Sequence, residues 1–378
     1  MISPSIFFEE LNKKDIDFFT GVPDSLLKDF CAYVKDNTIA EKNIIAANEG
    51  NALAIASGHY LATSKPALVY MQNSGLGNII NPLASLTDES VYSIPALLVI
   101  GWRGEPNIKD APQHIKQGKV TLDLLEIMGI KYYEINKSTT NKEVKLILGK
   151  AIEDLKYLNK PVAIVVSKGT FEKYSLKDSS NTTYDLNREQ AIEILMNNIE
   201  EDYVIVSTTG KTSREVFELR NKYNKGHEKD FLTIGSMGHA SSIALGIAKN
   251  NNEKNVYVLD GDGAFLMHMG AVSIIGQSNL KNYRHIVINN GAHESVGGQP
   301  TVGYDIDICS IAKGCGYDKA YTATTKQELE NYIKKINGYM GTVLLEIKTK
   351  QGSRENLGRP TMTQVEIKDG FMKNLACR

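Results

Sequence analysis

Two short segments carry the residue types of a joint cation and anion site. Gly261-Asp262-Gly263 follows the β-branched run 256–259, and Asn289-Asn290-Gly291 follows the run 285–288. The residues between Gly263 and Asn289, 264–288, number twenty-five. Glycines let a backbone approach a phosphate closely, and a helix N-terminus supplies N–H donors with a favourable dipole. An aspartate and an asparagine on neighbouring loops offer hard oxygen ligands. Mg²⁺ favours such ligands while it also binds phosphate oxygens. Taken singly, Gly-Asp-Gly is a common turn, and Asn-Asn-Gly reads equally well as a hairpin turn. Taken together, each after an apolar run and one helix length apart, they read as one site beyond the carboxyl ends of parallel strands.

A carboxyl in the other half of the chain has a comparable setting. In Ile44-Ile45-Ala46-Ala47-Asn48-Glu49-Gly50-Asn51-Ala52, a short apolar strand runs directly into Glu49 and a small-residue helix. Glu49 then sits at a strand's C-terminal end, where ligands bind. The other reading is an acid that simply favours a helix dipole. Asp24 and Ser25 stand at a turn entering a helix, where N-capping explains them equally well. The cations placed to meet an anion are Arg103, His114, Lys116, Arg354 and Arg359. Each alone reads as readily as a solvated surface charge. His114 has a pKa range suited to relaying a proton.

The elements that must position these residues alternate. Expected strands are 44–47, 67–72, 96–101, 162–167, 203–207, 256–259, 285–288 and 343–347. Expected helices include 51–62, 241–248, 265–278 and 326–336. Most strands are continuous apolar runs, which suits parallel strands buried on both faces. The alternation predicts an α/β fold with two doubly wound parallel-sheet domains. A polar stretch without apolar periodicity divides them. The expected domains are 1–171 and 188–378, with a linker at 172–187 and a C-terminal tail on the second.

Bulk properties exclude several classes. The 378 residues suit two domains, and the 42% hydrophobic and 23% charged fractions are ordinary for a globular protein. A formal net charge of −1 gives no bulk attraction to nucleic acid or membrane. Cys31, Cys309, Cys315 and Cys377 show neither CxxC spacing nor a zinc-ligand interval, so free thiols are expected. The N-terminus lacks an apolar leader, and the run 94–100 is far short of the ~20 residues of a membrane helix. A cytoplasmic protein is expected. Neither Walker A nor GxGxxG appears.

GDG, twenty-five residues and NN resemble the signature of thiamine-diphosphate enzymes. The resemblance implies that Asp262 and Asn290 give side-chain oxygens, and Ala292 its carbonyl, to Mg²⁺. Gly261, Gly263 and Ala264 would line the diphosphate. Gly235-Ser236-Met237-Gly238 is similar to the family segment that holds the aminopyrimidine. There the Gly235 carbonyl accepts from the amino group, and Met237 wedges between the two rings. Thr208-Thr209-Gly210 adds diphosphate donors. Glu49 is the glutamate that activates the cofactor, and Ser74 and Gly75 match a loop touching the pyrimidine. The halves then correspond to pyrimidine-binding and diphosphate-binding domains, without the middle domain of many relatives. A homodimer or higher homo-oligomer is implied.

The segments 21–25, 70–78, 101–105, 111–114 and 293–301 resemble the phosphonopyruvate decarboxylase family over nearly the whole chain. That resemblance implies thiamine-dependent loss of CO₂ from 3-phosphonopyruvate to give phosphonoacetaldehyde, in phosphonate biosynthesis. Asp24, Ser25, Asn73, Arg103 and His114 would bind the anionic 2-oxo acid, with His114 also catalytic. Sulfopyruvate decarboxylases share the layout. An acetolactate-type carboligase expects the missing domain. A non-catalytic thiamine-binding partner subunit expects a broken Glu49, Asp262 and Asn290 set.

Overall fold

The computed structural model describes residues 1–177, 182–200 and 202–376. Part of the expected linker, 178–181, and Cys377 lie outside the described residues. Two compact units form: Met1–Ser179 with Ser295–Gln299, and Ser180–Glu294 with Pro300–Arg378. Among the described residues no helix is long and apolar enough to cross a membrane.

The first unit is built on six strands: β1 (Phe19–Gly21), β2 (Asn43–Ile45), β3 (Ala67–Gln72), β4 (Ala96–Gly101), β5 (Lys131–Ile135) and β6 (Val162–Val166). Their order is β2-β1-β3-β4-β6-β5, and every pairing is parallel. Successive residues alternate between two cores. Leu68, Tyr70, Leu97 and Val99 enter one, while Val69, Met71, Leu98 and Ile100 enter the other. Side chains alternate across a strand, so a run apolar at every position is what a sheet covered on both faces requires. Each fully buried Val, Leu or Ile contributes about 1.5–3 kcal/mol of transfer free energy.

The second unit repeats the plan with β7 (Tyr203–Ser207), β8 (Asp230–Leu232), β9 (Asn255–Gly261), β10 (Asn282–Asn289), β11 (Lys319–Ala323) and β12 (Gly341–Lys348). The order is β11-β12-β10-β9-β7-β8, again parallel throughout. Tyr257 and Leu259 face one core, and Val256 and Val258 face the other. Two doubly wound parallel sheets are therefore the observed architecture.

Four strands, β1, β5, β8 and β11, are not among those expected, and two of the expected elements differ in extent. The strand expected over 44–47 is only Asn43–Ile45, and as an edge strand it leaves Ile44 exposed. Asn48 has already turned to cap the helix Glu49–Thr63, accepting from the Asn51 N–H at 2.9 Å. The helix expected over 265–278 is two helices, Asp262–Met267 and Ala271–Gly276. Between them His268 leaves helical geometry at φ −130°, and Gly270 stands where a glycine weakens a helix. The start of the expected linker is pinned to the first unit. Tyr174 donates its N–H to Asp29 at 3.1 Å and its hydroxyl to Asp36 at 2.9 Å.

Candidate functional site

In the second unit, register brings the two motifs together. Gly261 of β9 lies opposite Ile288 of β10, so the next residues of each strand leave the sheet side by side. Asp262 opens the helix Asp262–Met267 and is almost completely buried. Burial pushes its carboxyl up to about 6, opposed by the Thr301 hydroxyl and by the backbone N–H groups of Asn290 and Gly263. The Thr301 hydroxyl donates directly to Asp262. A bound cation would offset the desolvation of this carboxylate.

Asn290 is buried and lies against its own turn. Its Oδ1 accepts from the Ala292 N–H at 3.2 Å, and its Nδ2 donates to Glu294 Oε2 at 2.8 Å. Asn289 braces the loop from behind. Its Nδ2 donates to the Gly303 carbonyl at 2.6 Å and to buried Glu346 at 2.8 Å, and its Oδ1 accepts from the Gly291 N–H at 3.1 Å. Gly303 closes this packing, because an added Cβ would lie 2.7 Å from Asn289 Oδ1 and 3.0 Å from Asp262 Oδ2.

The neighbouring strand β7 runs into Thr208-Thr209-Gly210. The Thr208 hydroxyl is buried and has no hydrogen-bond partner among the described residues. Gly210, at φ +98°, turns the chain into the helix Lys211–Lys222, whose first N–H groups have no side-chain cap. Open N–H groups and an orphaned hydroxyl suit a phosphate oxygen. Thr209 Oγ1 accepts from the Gly235 N–H at 2.9 Å, which ties this turn to the Gly235–Gly238 segment. That segment is left-handed at Gly235 (φ +72°), Ser236 (φ +46°) and Gly238 (φ +81°). Met237 Cε lies 3.4 Å from the position a Cβ on Gly263 would take. Ala264 is buried in the same helix turn. The second-half residues expected to hold cofactor and metal therefore lie on neighbouring loops after β7, β8, β9 and β10.

In the first unit, the loops after β1, β2, β3 and β4 open on the carboxyl edge of one sheet. Glu49 is 5% exposed, and its Oε2 accepts from Asn78 Nδ2 at 2.7 Å. Gly75 lies against the same carboxylate, and a Cβ there would stand 2.5 Å from Glu49 Oε1. Asp24 is fully buried. It accepts from Gln72 Nε2 at 2.6 Å and from the Leu26 N–H at 2.9 Å, and burial pushes its carboxyl above the ordinary value. Ser74 Oγ extends this chain, donating to Gln72 Oε1 at 2.8 Å.

All five expected substrate residues have partners within the unit. Arg103 gives its Nε to Asp110 at 2.7 Å and its Nη2 to the same carboxylate at 2.5 Å, and its Nη1 reaches Ser25 Oγ at 2.7 Å. Burial would raise the Asp110 carboxyl, but Arg103 and the N–H groups of Ala111 and Gly104 hold it well below the usual range. Buried Asn73 donates to the Arg103 carbonyl at 2.8 Å and to Thr121 Oγ1 at 2.9 Å. His114 is buried in the first turn of the helix Pro112–Ile127, with its Nε2 3.3 Å from Gln113 Nε2. Lys116 is exposed. Arg354 pairs with Glu189 at 2.9 Å and with Glu218.

Sequence reasoning did not single out Asn78, Gln72, Asp110, Glu294, Thr301 or Glu346. Gln72, Asn78, Glu294 and Thr301 stood inside the segments 70–78 and 293–301, but Glu49 and Asp262, the targets of Asn78 and Thr301, are distant in sequence. Glu294 accepts from Arg188 at 2.6 Å, Lys211 at 3.0 Å and Asn290 at 2.8 Å, a convergence that no spacing rule encodes.

Residues 4–127 match the family "Thiamine pyrophosphate enzyme, N-terminal TPP binding domain". Residues 208–347 match "Thiamine pyrophosphate enzyme, C-terminal TPP binding domain". The phosphonopyruvate decarboxylase of Streptomyces viridochromogenes is 31% identical over 93% of this chain and 89% of its own. That of Streptomyces hygroscopicus is 29% identical over 98% and 93%. The sulfopyruvate decarboxylase of Methanosarcina acetivorans is 27% identical over 91% and 90%.

Proposed function

The chain belongs to the thiamine pyrophosphate enzyme family, together with these decarboxylases, and from that premise we propose that it converts 3-phosphonopyruvate to phosphonoacetaldehyde and CO₂. The observation that carries the substrate is the 31% identity to a phosphonopyruvate decarboxylase over 93% of the chain. The intact set of Glu49, Asp262 and Asn290 favours an enzyme over a non-catalytic partner.

Thiamine diphosphate supplies the electron sink that accepts the pair released with CO₂. In this reading Asp262, Asn290 and the Ala292 carbonyl hold Mg²⁺, whose charge offsets the buried carboxylate of Asp262. The open N–H groups after Gly210 and the hydroxyls of Thr208 and Thr209 hold diphosphate oxygens, with Gly261, Gly263 and Ala264 close by. Gly235 accepts from the pyrimidine, and Met237 fills the space beside it. Glu49 holds and passes a proton at the pyrimidine, kept in place by Asn78 and Gly75. Asp24, Ser25, Asn73 and Arg103 shape the substrate end. Arg103 acts there through Ser25, because Asp110 already neutralises it. His114 returns a proton to the product carbon. Active sites shared between chains require at least a homodimer. Among the described residues Cys31, Cys309 and Cys315 are free, which suits a reducing cytoplasm.

Sulfopyruvate is the second reading, favoured by the full-length Methanosarcina relative. CO₂ release from phosphonopyruvate, sulfopyruvate and pyruvate, measured side by side, decides between them. The fastest turnover is expected with phosphonopyruvate, and faster release from sulfopyruvate would reassign the substrate.

A further inference from the structure

The cations near the end of β7 divide into paired and unpaired. Arg188 gives two nitrogens to Glu215, at 2.7 and 2.8 Å, and a third to Glu294. Lys211 is held by Glu294 at 3.0 Å and by Ser353 at 2.7 Å. Arg354 lies between Glu189 and Glu218. Arg214 and Arg359 differ. Among the described residues neither has a hydrogen bond or ion pair, and no acid opposes the charge of Arg214.

The backbone explains how they meet. Arg214 lies in the first turn of the helix Lys211–Lys222, and Glu218 is four residues on, on the same face. The tail runs along that face. Ser353 is anchored at Lys211, and the Gly358 N–H donates to Glu218 Oε1 at 2.6 Å. Arg359 follows directly. Arg214 is part-buried, and both its burial and the Arg359 charge disfavour its protonated form. Like charges disfavour one another's charged form, and an anion between two guanidinium groups relieves that repulsion. Guanidinium forks match the oxygens of a tetrahedral dianion.

We propose that Arg214 and Arg359 form a binding site for a tetrahedral dianion, and that its occupant is the phosphonate group of the substrate. The proposal rests on the substrate reading above. It gives the C-terminal tail a specificity role: Ser353, Arg354 and Gly358 fix the strap, and among the described residues 353–359 Arg359 is the cation without a partner. The cofactor's diphosphate carries related chemistry, so the test must separate the two.

The test uses holoenzyme saturated with thiamine diphosphate and Mg²⁺, and the variants Arg214→Gln, Arg359→Gln and Arg214→Lys. Both glutamine variants are expected to raise KM for phosphonopyruvate about 10- to 100-fold, as loss of a charge-assisted fork implies. The inhibition constant of methylphosphonate should rise in parallel. Cofactor affinity and melting temperature should stay at wild-type values, and Arg214→Lys should recover part of the loss. Unchanged KM and inhibition would overturn the proposal. A loss confined to cofactor affinity would also overturn it, by assigning the pair to the diphosphate. Arg359 is exposed, so its variant gives an answer even if Arg214→Gln does not fold. If wild-type enzyme releases no CO₂ from phosphonopyruvate, the substrate reading fails separately. Calorimetry with methylphosphonate then judges the site: arginine-dependent binding upholds it, and its absence overturns it.

Discussion

Glu49 and Asp262 are each buried, yet their surroundings prepare them for different work. Glu49 accepts from the Asn78 side chain and has a glycine packed against its carboxylate. Glu49→Gln keeps that shape and removes the exchangeable proton. It is expected to bind thiamine diphosphate normally in calorimetry and to lose at least about 100-fold in CO₂ release; a wild-type rate would end this assignment. Gly75→Ala tests the same group through space, since the new Cβ must displace the Glu49 carboxylate. A displacement of about 1 Å is expected to cost up to about 100-fold in kcat with little change in melting temperature. Asp262 instead depends on Thr301. Thr301→Val removes the hydroxyl donor while nearly keeping the volume. Mg²⁺ affinity, titrated through cofactor retention, is expected to fall about 10- to 100-fold, and an unchanged titration would remove Thr301 from this role.

At the scale of elements, the second unit relies on a buried ion pair to hold its edge. Arg220, on the helix Lys211–Lys222, gives Nε and Nη2 to Asp230 of β8 at 2.8 and 2.6 Å, and Nη1 to the Tyr203 hydroxyl at 2.9 Å. Both charges are almost fully removed from solvent. Asp230→Ala would leave the guanidinium buried and uncompensated, which costs about 3–5 kcal/mol. Urea unfolding should register that loss, and a change below 1 kcal/mol (about the worth of an exposed pair) would mean the pair is solvated. The same helix follows Gly210 beside the candidate diphosphate site, so the variant should also weaken cofactor binding. The strap 353–359 lies along this helix through Lys211 and Glu218, which joins edge stability to the proposed anion site.

At the scale of the whole molecule, a net charge of −1 provides no general field for an anionic substrate. Recognition must come from local groups, and most local cations already have carboxylate partners. Cofactor and metal should then contribute visibly to stability. With thiamine diphosphate and Mg²⁺ at about 100 times their dissociation constants, unfolding free energy should rise by about 2.7 kcal/mol. Scanning calorimetry with and without a chelator checks this, and equal melting temperatures would remove the proposed metal set. Sedimentation of the loaded enzyme should give at least twice the 41.7 kDa chain mass; a monomer at saturating cofactor would contradict active sites shared between chains.

Much of this protein is legible without coordinates. Apolar runs such as 96–100 must lie in sheets covered on both faces, because no other setting buries every position of a strand. Glycine and acid at the ends of those runs then fall where parallel sheets bind ligands. GDG and NN could be joined into one site because one crossover must carry the chain from one strand to its parallel neighbour. Local chemistry misled where packing competes with propensity. The helix expected over 265–278 breaks at 268–270, and the strand at 44–47 gives way early to the Asn48 cap. Only tertiary structure decided which charges are free. Arg103, Arg354 and Arg359 look alike in sequence, but Asp110 sits on the first and Glu189 and Glu218 on the second. Arg359 is left beside Arg214. Partners distant along the chain set the energy of a charge, and periodicity does not record them.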